Sequence, residues 1–223
     1  MALASRRPRI SELASGPLLQ MRIRPDAQNQ WGLLRNHGRY PQSRRSALFG
    51  IGSADVSFVK ISMIAAMTAQ RVIGTGKGIP WHLPRDQAHF RTYTAGKAML
   101  LGRRTYEEMI GWFTTQTPIV LTRDSGRTLE GSPLVVTSVE AAIEAAQHSR
   151  ASELVVSGGA QIYTAALDYA DSLVLTLVDT DVEGSAQFPE FSPSENWCCS
   201  ETEWYAADAE NAYAMEIQRW ERH

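Results

Sequence analysis

The chain has 223 residues and a net charge of −2, with 43% hydrophobic and 21% charged residues, a composition typical of a soluble globular protein rather than a disordered or fibrous one. Its two cysteines, Cys198 and Cys199, are adjacent, so the sequence supports neither a disulfide framework nor a metal site. No apolar run approaches the roughly 18 residues of a membrane-spanning helix.

The charge is divided unevenly along the chain. Residues 1–58 carry nine arginines, no lysine and three acids, a net charge of +6, whereas residues 59–223 carry a net charge of −8. An acidic body argues against nucleic-acid binding, because phosphate backbones are held by clustered basic side chains. Two pieces of different character are therefore expected to join near residue 58.

The first piece, residues 1–58, is Arg-rich and acid-poor and has no sustained helical or strand period, so it is predicted to be a disordered extension. Three interpretations remain: an organellar transit peptide, a basic tail that contacts an acidic partner, or an untranslated upstream segment with the true start near Met21 or Val59. We expect a dispensable extension on a cytoplasmic protein. A transit peptide would instead direct the protein to an organelle.

The body begins with a strand predicted over residues 59–67, which becomes almost wholly apolar, as a strand buried on both faces does. The small residues Ala65 and Ala66 near its end leave room for a planar ligand. The glycine-rich stretch 68–80 is predicted to be a mobile loop that acts as a lid over an active site. It lacks the G-x-x-x-x-G-K-[ST] spacing of a phosphate-binding loop.

A helix is predicted over residues 84–95, with proline at its first position. Asp86 lies in its first turn, behind Trp81 and between apolar neighbours. A carboxylate withdrawn from water shifts its pKa upward or finds a polar partner, so Asp86 is the first catalytic candidate. The alternative is an ordinary first-turn acid favoured by the helix dipole. His82 and His89 are assigned no role, because such histidines are more often solvent-facing or already hydrogen-bonded than ligands.

One broad face of this helix combines an acid, an aromatic ring and a cation. Leu83, Gln87 and Arg91 are spaced at i, i+4 and i+8, and Asp86 and Phe90 at i and i+4. Such a face would line a site for a flat, nitrogen-rich ligand with an anionic tail.

Two later strand ends carry side chains suited to anions. A strand over 98–101 leads into Gly102-Arg103-Arg104-Thr105, which opens a helix reaching Trp112, and a strand over 119–121 ends in Thr122-Arg123. Backbone N–H groups and guanidinium groups together bind anions, so two such ends side by side would hold one phosphate. The alternative is a solvated basic pair.

The remaining elements are predicted in the order strand 134–136, helix 138–147, strand 154–156, helix 161–167, strand 172–178 and an antiparallel hairpin of 197–205 and 212–220. The strand over 154–156 runs into Ser157-Gly158-Gly159-Ala160. A strand, a glycine pair and a helix form a diphosphate site where the backbone must approach oxygen atoms. The spacing is not G-x-G-x-x-G, so a standard Rossmann site is not expected.

The alternation of strands and helices predicts a three-layer α/β domain over residues 59–223. Its central sheet is expected to be mostly parallel, with an antiparallel C-terminal hairpin at one edge and helices on both faces. Ligands of such folds bind beyond the carboxyl ends of the strands, where Ala66, Gly102, Thr122 and Gly158 all fall. The candidate residues therefore converge on one cleft.

From about Val59 to the C-terminus, the chain resembles the dihydrofolate reductase family. The motifs that carry the resemblance are Ile-Ala-Ala (64–66), Val-Ile-Gly (72–74), Ile-Pro-Trp-His-Leu-Pro-Arg-Asp (79–86), Gly-Arg-Arg-Thr (102–105), Ser-Gly-Gly-Ala-Gln-Ile-Tyr (157–163) and Val-Glu-Gly (182–184) before Phe188-Pro189. The Pro-Trp-x-Leu-Pro-x-Asp element is specific to the family, and several motifs in the same order are stronger evidence of the resemblance than any single motif.

The resemblance implies an NADPH-dependent oxidoreductase, an antifolate target in tetrahydrofolate biosynthesis and one-carbon metabolism. It implies that hydride passes to C6 of 7,8-dihydrofolate and a proton to N5. Asp86 would bind the 2-amino group and N3 of the pterin and support N5 protonation, Trp81 would position an ordered water, and Thr176 would join that network. Tyr163 would flank the nicotinamide together with Ile73. The only expected partner is the small-molecule substrate, dihydrofolate or a related dihydropterin. The protein is expected to be a monomer that binds neither nucleic acid nor a membrane.

Further site residues follow from the same motifs. The expected substrate-binding residues are Ile64, Ala66, Gln87, Phe90, Arg91 and Met109. The expected cofactor-binding residues are Ala66, Ile73, Gly74, Gly102, Arg103, Arg104, Thr105, Leu121, Thr122, Arg123, Ser157, Gly158, Gly159, Ala160, Gln161 and Ile162.

The chain departs from the family pattern at three places. Gln116 stands where the family usually has an arginine that clamps the glutamate carboxylate of folate, and a neutral amide cannot replace such a charged fork. Ala160 replaces a third glycine, and Ser185-Ala186 replaces an acid and a hydroxyl that often hold the lid. We therefore predict weaker dependence on the glutamate tail, with Arg91 compensating.

Two other functions fit parts of the pattern. A reductase of a tailless pterin or of a riboflavin-pathway pyrimidine would share the fold, and a non-catalytic pterin- or nucleotide-binding protein would share the cleft. The element ending in Asp86 favours folate reduction over both.

Overall fold

The computed structural model describes residues 58–76, 78–124, 126–192 and 196–223. The strands are β1 (Lys60–Met67), β2 (Val72–Gly74), β3 (Ala98–Gly102), β4 (Thr117–Leu121), β5 (Leu134–Val136), β6 (Glu153–Val156), β7 (Ser172–Val178), β8 (Ala186–Gln187), β9 (Trp197–Tyr205) and β10 (Met215–Arg222). The helices are α1 (Pro84–Thr94), α2 (Arg103–Glu108), α3 (Val139–His148) and α4 (Ala160–Ala166), and a 3-10 turn spans Leu167–Tyr169. Apart from Phe58, the predicted extension over 1–58 lies outside the described residues.

An eight-stranded sheet runs in the order β5-β4-β3-β6-β1-β7-β10-β9. The pairs from β5 to β7 are parallel, and β10 and β9 add antiparallel strands at one edge. The side chains of the central strands are almost wholly buried, as the apolar runs of a sheet covered on both faces require. The predicted α/β class, with its antiparallel C-terminal hairpin, is confirmed.

Strand β1 lies between β6 and β7 and pairs in parallel with both of them. Ile61 is paired with Leu154 of β6, and Ala66 is paired with Thr176 of β7. Because parallel strands end at the same edge of a sheet, Ala66 and the ends of β3, β4 and β6 lie along one edge. The predicted convergence of strand ends therefore follows from the observed strand order.

Helix α1 starts without a side-chain cap of its own. Its N-cap residue is Leu83, which has no oxygen to offer, and Pro84 lacks an N–H group. The backbone N–H of Arg85 instead donates to Oδ1 of the buried Asn211, at 3.0 Å, from the turn between β9 and β10. The Arg85 guanidinium also pairs with Asp208 at 2.6 Å. The C-terminal hairpin thus fixes the first turn of α1.

Several element boundaries differ from the sequence-based expectation, most of them by one or two residues and the following by more. The stretch 68–80 contains strand β2, which pairs with β8, so part of the expected loop is regular structure. Helix α2 ends at Glu108 rather than at Trp112, because Gly111 adopts a positive φ of 83° that an α-helix cannot continue. The last strand begins at Met215 rather than at Ala212.

None of the helices in the described part of the chain is long and apolar enough to cross a membrane.

Candidate active site

The ends of β3 and β6 meet at the middle of the carboxyl edge. The backbone N–H of Gly102 donates to the Gly158 carbonyl at 2.7 Å, and the N–H of Ser157 donates to the Leu100 carbonyl at 2.9 Å. Two of the predicted nucleotide-binding segments are therefore joined through their backbones.

Glycine is required at this junction by close packing. A Cβ atom at Gly102 would lie 3.0 Å from Cγ1 of Ile162, and one at Gly158 would lie 3.2 Å from the Tyr163 ring. Gly158 also has a positive φ of 103°, and its peptide bond to Gly159 is cis. The predicted Thr105 lies across the junction, with its hydroxyl 3.5 Å from a Cβ built on Gly159. We call this glycine-rich junction, with the Thr105 hydroxyl beside it, the cradle; its backbone carries no Cβ atom at Gly102, Gly158 or Gly159.

Asp86 is half-buried in the first turn of α1, directly after the hydrogen-bonded Arg85. Burial is the main influence on its carboxyl group and raises its pKa, against the opposing effects of a hydrogen bond from Thr176 and the nearby His89. Thr176 is itself buried on β7. The arrangement is a partly desolvated carboxylate with a hydroxyl donor, a combination that is common at functional sites.

Trp81 presents an unused donor close to this acid. Its side chain is 8% exposed and packs in a cluster with Leu83, Val178 and Met215, against which Ala66 also packs. The indole Nε1 is buried and has no hydrogen-bonding partner among the described residues. A buried N–H of this kind needs a polar partner, which a water molecule or ligand atom would supply.

Phe90, one turn after Asp86 on α1, packs against two apolar clusters. Phe90 contacts the cluster around Ile64 and the cluster around Met99 and Leu101, against which Met109 also packs. The Phe90 ring lies 5.1 Å from that of Trp112. Ile64, Phe90 and Met109 are therefore brought together as predicted, and Trp112 is an aromatic neighbour that the sequence reading missed.

Arg91 and Gln116 lie near the C-terminal end of α1. The Arg91 guanidinium is stacked over the Trp112 ring at 4.8 Å from its centroid. The side-chain oxygen Oε1 of Gln116 accepts from the N–H groups of Thr114 and Thr115 at 2.9 and 3.1 Å, and its side-chain nitrogen Nε2 donates to the Thr94 hydroxyl at 3.4 Å. Gln116 thus closes a turn, and Arg91 is the nearby cation. Gln87 is exposed to solvent.

Tyr163 is a buried wall of the cleft. Its hydroxyl donates to the Ile64 carbonyl at 2.6 Å, and its ring lies 4.9 Å from that of Phe188. Burial, with a smaller contribution from the Asp86 charge, raises the pKa of the phenol. The hydroxyl is therefore committed to the backbone and stays protonated, which leaves the flat ring face for packing.

Four arginines lie beside the cradle. Arg103 pairs with Glu107 at 2.6 Å, and Arg127 approaches the same carboxylate at 3.7 Å. Arg104 and Arg123 are exposed, and the described chain offers neither of them an ion-pair partner. Two such guanidinium groups, following the adjacent strands β3 and β4, are available to an anion.

The other predicted cofactor residues are distributed around the same edge. Ser157 and Ile162 are buried, Leu121, Thr122 and Ala160 are half-buried, and Gln161 is exposed. Ile73 and Gly74 belong to β2, where Gly74 pairs with Ala186 of β8. A Cβ atom on Gly184 would overlap the Gly74 carbonyl, so only glycine permits this approach. The predicted lid is therefore tied to β8 through its backbone.

The far end of α1 is fixed as firmly as its start. Glu153 on β6 accepts hydrogen bonds from Ser62 and from Tyr93, the latter at 2.7 Å, and pairs with Lys97 at 2.6 Å. Burial opposes ionisation of Glu153, but the hydrogen bonds from Lys97, Ser62 and Tyr93 outweigh it and lower its pKa. Asp86 thus projects from a helix anchored at both ends.

A family model described as dihydrofolate reductase matches residues 60–222, well over half of the chain. The chain belongs to the dihydrofolate reductase family.

Related dihydrofolate reductases agree with this assignment. The Bacillus subtilis dihydrofolate reductase is 36% identical over 162 residues, which cover 73% of this chain and 94% of that protein. The Neisseria gonorrhoeae dihydrofolate reductase is 41% identical over 133 residues, covering 59% and 80%. A solved structure of the Enterococcus faecalis dihydrofolate reductase, in complex with NADP(H) and RAB-propyl, is 31% identical, with a TM-score of 0.66 over 74% of this chain and 96% of that one.

Proposed function

We propose that this member of the dihydrofolate reductase family reduces 7,8-dihydrofolate to 5,6,7,8-tetrahydrofolate with NADPH. The observation that carries the proposal is the Asp86 carboxyl, held half-buried in the cleft with a raised pKa, a Thr176 partner and the unpartnered Nε1 of Trp81 beside it. A folate reductase needs one such acid, because the reaction consumes a proton as well as a hydride. Family membership over residues 60–222 supports the same activity.

Asp86 binds and orients the pterin in this proposal. Its carboxylate accepts hydrogen bonds from the 2-amino group and N3 of the ring, replacing the water that burial removes. Ile64, Phe90 and Met109 enclose the ring and exclude solvent. The gain from these contacts offsets the cost of keeping a carboxylate half-buried.

The proton is delivered near the same carboxylate. A negative charge in a partly desolvated site favours a positive charge nearby, so ionised Asp86 raises the proton affinity of N5. The Trp81 indole holds a water molecule through its free N–H, and Thr176 completes the hydrogen-bonding network. These residues hold a proton at N5 without forming a covalent bond to the substrate.

The residues of the cradle fit NADPH, which supplies the hydride when bound. The glycine junction at Gly102, Gly158 and Gly159 would let backbone groups approach diphosphate oxygens without an intervening Cβ atom, and Thr105 has its hydroxyl next to Gly159. The exposed Arg104 and Arg123 suit a 2'-phosphate, together with Arg103, Thr122 and the neighbouring Leu121. The remaining contacts are assigned to Ala66, Gly74, Ser157, Ala160, Gln161 and Ile162. Tyr163 and Ile73 flank the nicotinamide.

The tail of the substrate is recognised weakly. Because the Gln116 amide already serves the backbone of Thr114 and Thr115, it is not free to clamp a carboxylate. Arg91 is the cation that remains for the glutamate, held over Trp112. We therefore expect a smaller difference between dihydrofolate and a tailless dihydropterin than a bidentate arginine would produce.

We further expect a cytoplasmic monomer whose activity resides in residues 59–223. The family match begins at Lys60, which supports a dispensable extension over residues 1–58.

The substrate assignment is tested by measuring NADPH oxidation with purified protein. Dihydrofolate should stimulate the rate strongly, a tailless dihydropterin should act with a higher KM, and a riboflavin-pathway pyrimidine should have no effect. Equal rates with and without dihydrofolate would overturn the proposal. Turnover of the pyrimidine alone would assign the chain to the related reductases instead.

A further inference from the structure

His89 lies on α1 one helical turn from Asp86, which places their Cβ atoms about 5 to 6 Å apart. It is half-buried, and its Nε2 atom is fully buried without a hydrogen-bonding partner in the described part of the chain. Buried polar atoms nearly always form a hydrogen bond, so a water molecule or another group is expected to bind this nitrogen.

The imidazole borders a cavity of about 80 Å³ between α1 and the antiparallel edge of the sheet. Its lining residues are His89, Val174, Glu201, Glu203, Ile217 and Arg219. A space of this size with polar walls holds water, which would satisfy Nε2. The charged lining groups lie on β9 and β10, so the cavity joins His89 to the outer strands.

Cross-strand pairing links this cavity to the partner of Asp86. Thr176 on β7 is paired with Ile217 on β10, and Ile217 is paired with Glu203 on β9. Paired residues point to the same face of a sheet, so the three side chains form a row about 10 Å long under α1. Asp86 contacts Thr176 at one end of the row. His89 borders the same cavity as Ile217 in the middle and Glu203 at the other end.

The charges around His89 act in opposite directions. Asp86 and Tyr93 face it from α1, Glu201 and Glu203 from β9, and Arg219 from β10. The Tyr93 hydroxyl is committed to Glu153, and Arg219 pairs with Glu201 at 3.5 Å. Burial lowers the pKa of His89, Asp86 and then Glu203 raise it, and Arg219 lowers it further.

We propose that His89 is a positioning residue for the reduction, which couples Asp86 to Glu203 and Arg219 and so sets the pH at which Asp86 carries its negative charge. A protonated imidazole one turn away favours the carboxylate, and a neutral imidazole does not. The charges of Glu203 and Arg219 in turn determine how readily the His89 imidazole is protonated. This inference rests on the proposed role of Asp86.

The first test is the pH profile of hydride transfer, measured in single turnovers. Replacing His89 with Gln removes the cationic form, so the midpoint assigned to Asp86 should move to higher pH by about 0.5 to 1 unit. His89→Lys retains a cation and should hold the midpoint at or below that of the wild type. His82→Gln, which changes an exposed histidine on the preceding segment, should leave the profile unchanged.

The second test changes the outer groups and separates relay through His89 from direct charge effects. Glu203→Gln makes the imidazole harder to protonate and should raise the midpoint, whereas Arg219→Gln should lower it. The direct effect of each change on Asp86 would have the opposite sign. In the His89→Gln background only the direct effect remains, so both shifts should disappear or change sign.

The outcomes distinguish this inference from the proposed function. If Asp86→Asn abolishes the midpoint but His89→Gln leaves it unmoved, the inference is wrong and the function stands. If Asp86→Asn retains the wild-type midpoint, the role of Asp86 is wrong. Should His89→Gln fail to fold, Glu203→Gln and Arg219→Gln provide the test. A lower midpoint in Glu203→Gln and a higher midpoint in Arg219→Gln are the signs of a direct charge effect and would overturn the inference.

Discussion

At the scale of single residues, the proposed role of Asp86 requires a negative charge that lowers the stability of the fold. Its carboxyl is half-buried and its pKa is raised mainly by burial. A raised pKa means that the folded state binds the proton more tightly than the unfolded chain does. The contribution of Asp86 to stability is therefore present at low pH and is lost as the pH rises through the folded-state pKa.

Replacing Asp86 with Asn should consequently stabilise the folded protein at neutral pH. We expect the midpoint of thermal unfolding to rise by about 2 to 4 °C near neutral pH, corresponding to about 1 kcal/mol in a domain of this size. The gain should disappear as the pH falls towards 3.8, the ordinary value for an aspartate, where the wild-type carboxyl is protonated. Calorimetry at both pH values measures the effect. A lower unfolding midpoint near pH 7 would show that the carboxylate is fully satisfied by its partners.

Gln116 leads to a second prediction at this scale. An arginine at this position would offer a charged fork to the glutamate tail, and charged hydrogen bonds contribute about 1.5 to 3 kcal/mol. Gln116→Arg should therefore lower the KM for dihydrofolate by about tenfold relative to that for a tailless dihydropterin. Gln116→Ala serves as the control and should leave the ratio unchanged. A wild-type preference for dihydrofolate that vanishes in Gln116→Ala would contradict the prediction.

At the scale of elements, α1 is held by residues that are distant in sequence. Asn211 from the C-terminal turn supplies the cap that Leu83 cannot provide, and Glu153 from β6 binds Tyr93 near the end of the helix. Helix α3 is different, because its own Ser138 accepts from the Ala141 N–H at 3.1 Å. Helix α1 is therefore capped by a residue distant in sequence, whereas α3 is capped by the residue that precedes it.

The variant Asn211→Ala should affect both stability and substrate binding. Losing a helix cap costs about 1 kcal/mol of unfolding free energy. Because the lost bond also positions the turn that carries Asp86, the KM for dihydrofolate should rise several-fold. Ser138→Ala is the matched control, with a similar loss of stability and an unchanged KM. Denaturant unfolding and steady-state kinetics of both variants provide the comparison, and an unchanged KM in Asn211→Ala would refute the positioning role.

At the scale of the whole molecule, the parts that could be predicted from sequence depend on local patterns. Apolar runs fix the buried strands, and the limits of β5, β7 and β9 were predicted to the residue. The α/β class and family membership are confirmed. Asp86 could be proposed as the site acid because a carboxylate in the segment 80–86, among proline, tryptophan and leucine, is unusual in itself.

The parts that could not be predicted depend on contacts between distant residues. The short strand β2 contains only three residues and exists because β8 pairs with it across about a hundred positions. The engagement of Gln116 with its own turn and the cavity beside His89 also have no local signature. Periodicity detects which side chains face inward, but it does not show which side chains meet.

A shortened chain starting at residue 59 tests the domain assignment. We expect it to fold with the stability of the full-length protein and to retain its kcat and KM. The reason is that the family match begins at Lys60 and the described sheet is complete from β1 onward. Thermal unfolding and kinetics of both forms should therefore agree. A large loss of activity on truncation would assign a working role to residues 1–58.

The most direct test of the account compares hydride transfer from NADPH to dihydrofolate in the wild type and in Asp86→Asn, near pH 5 and near pH 7. The asparagine keeps the shape of the side chain but cannot carry the charge. We predict a rate at least about 100-fold lower than that of the wild type near pH 7, in line with the loss of a general acid–base group. The difference should narrow near pH 5, where solvent supplies the proton. A variant that reduces dihydrofolate at the wild-type rate near pH 7 would contradict the account.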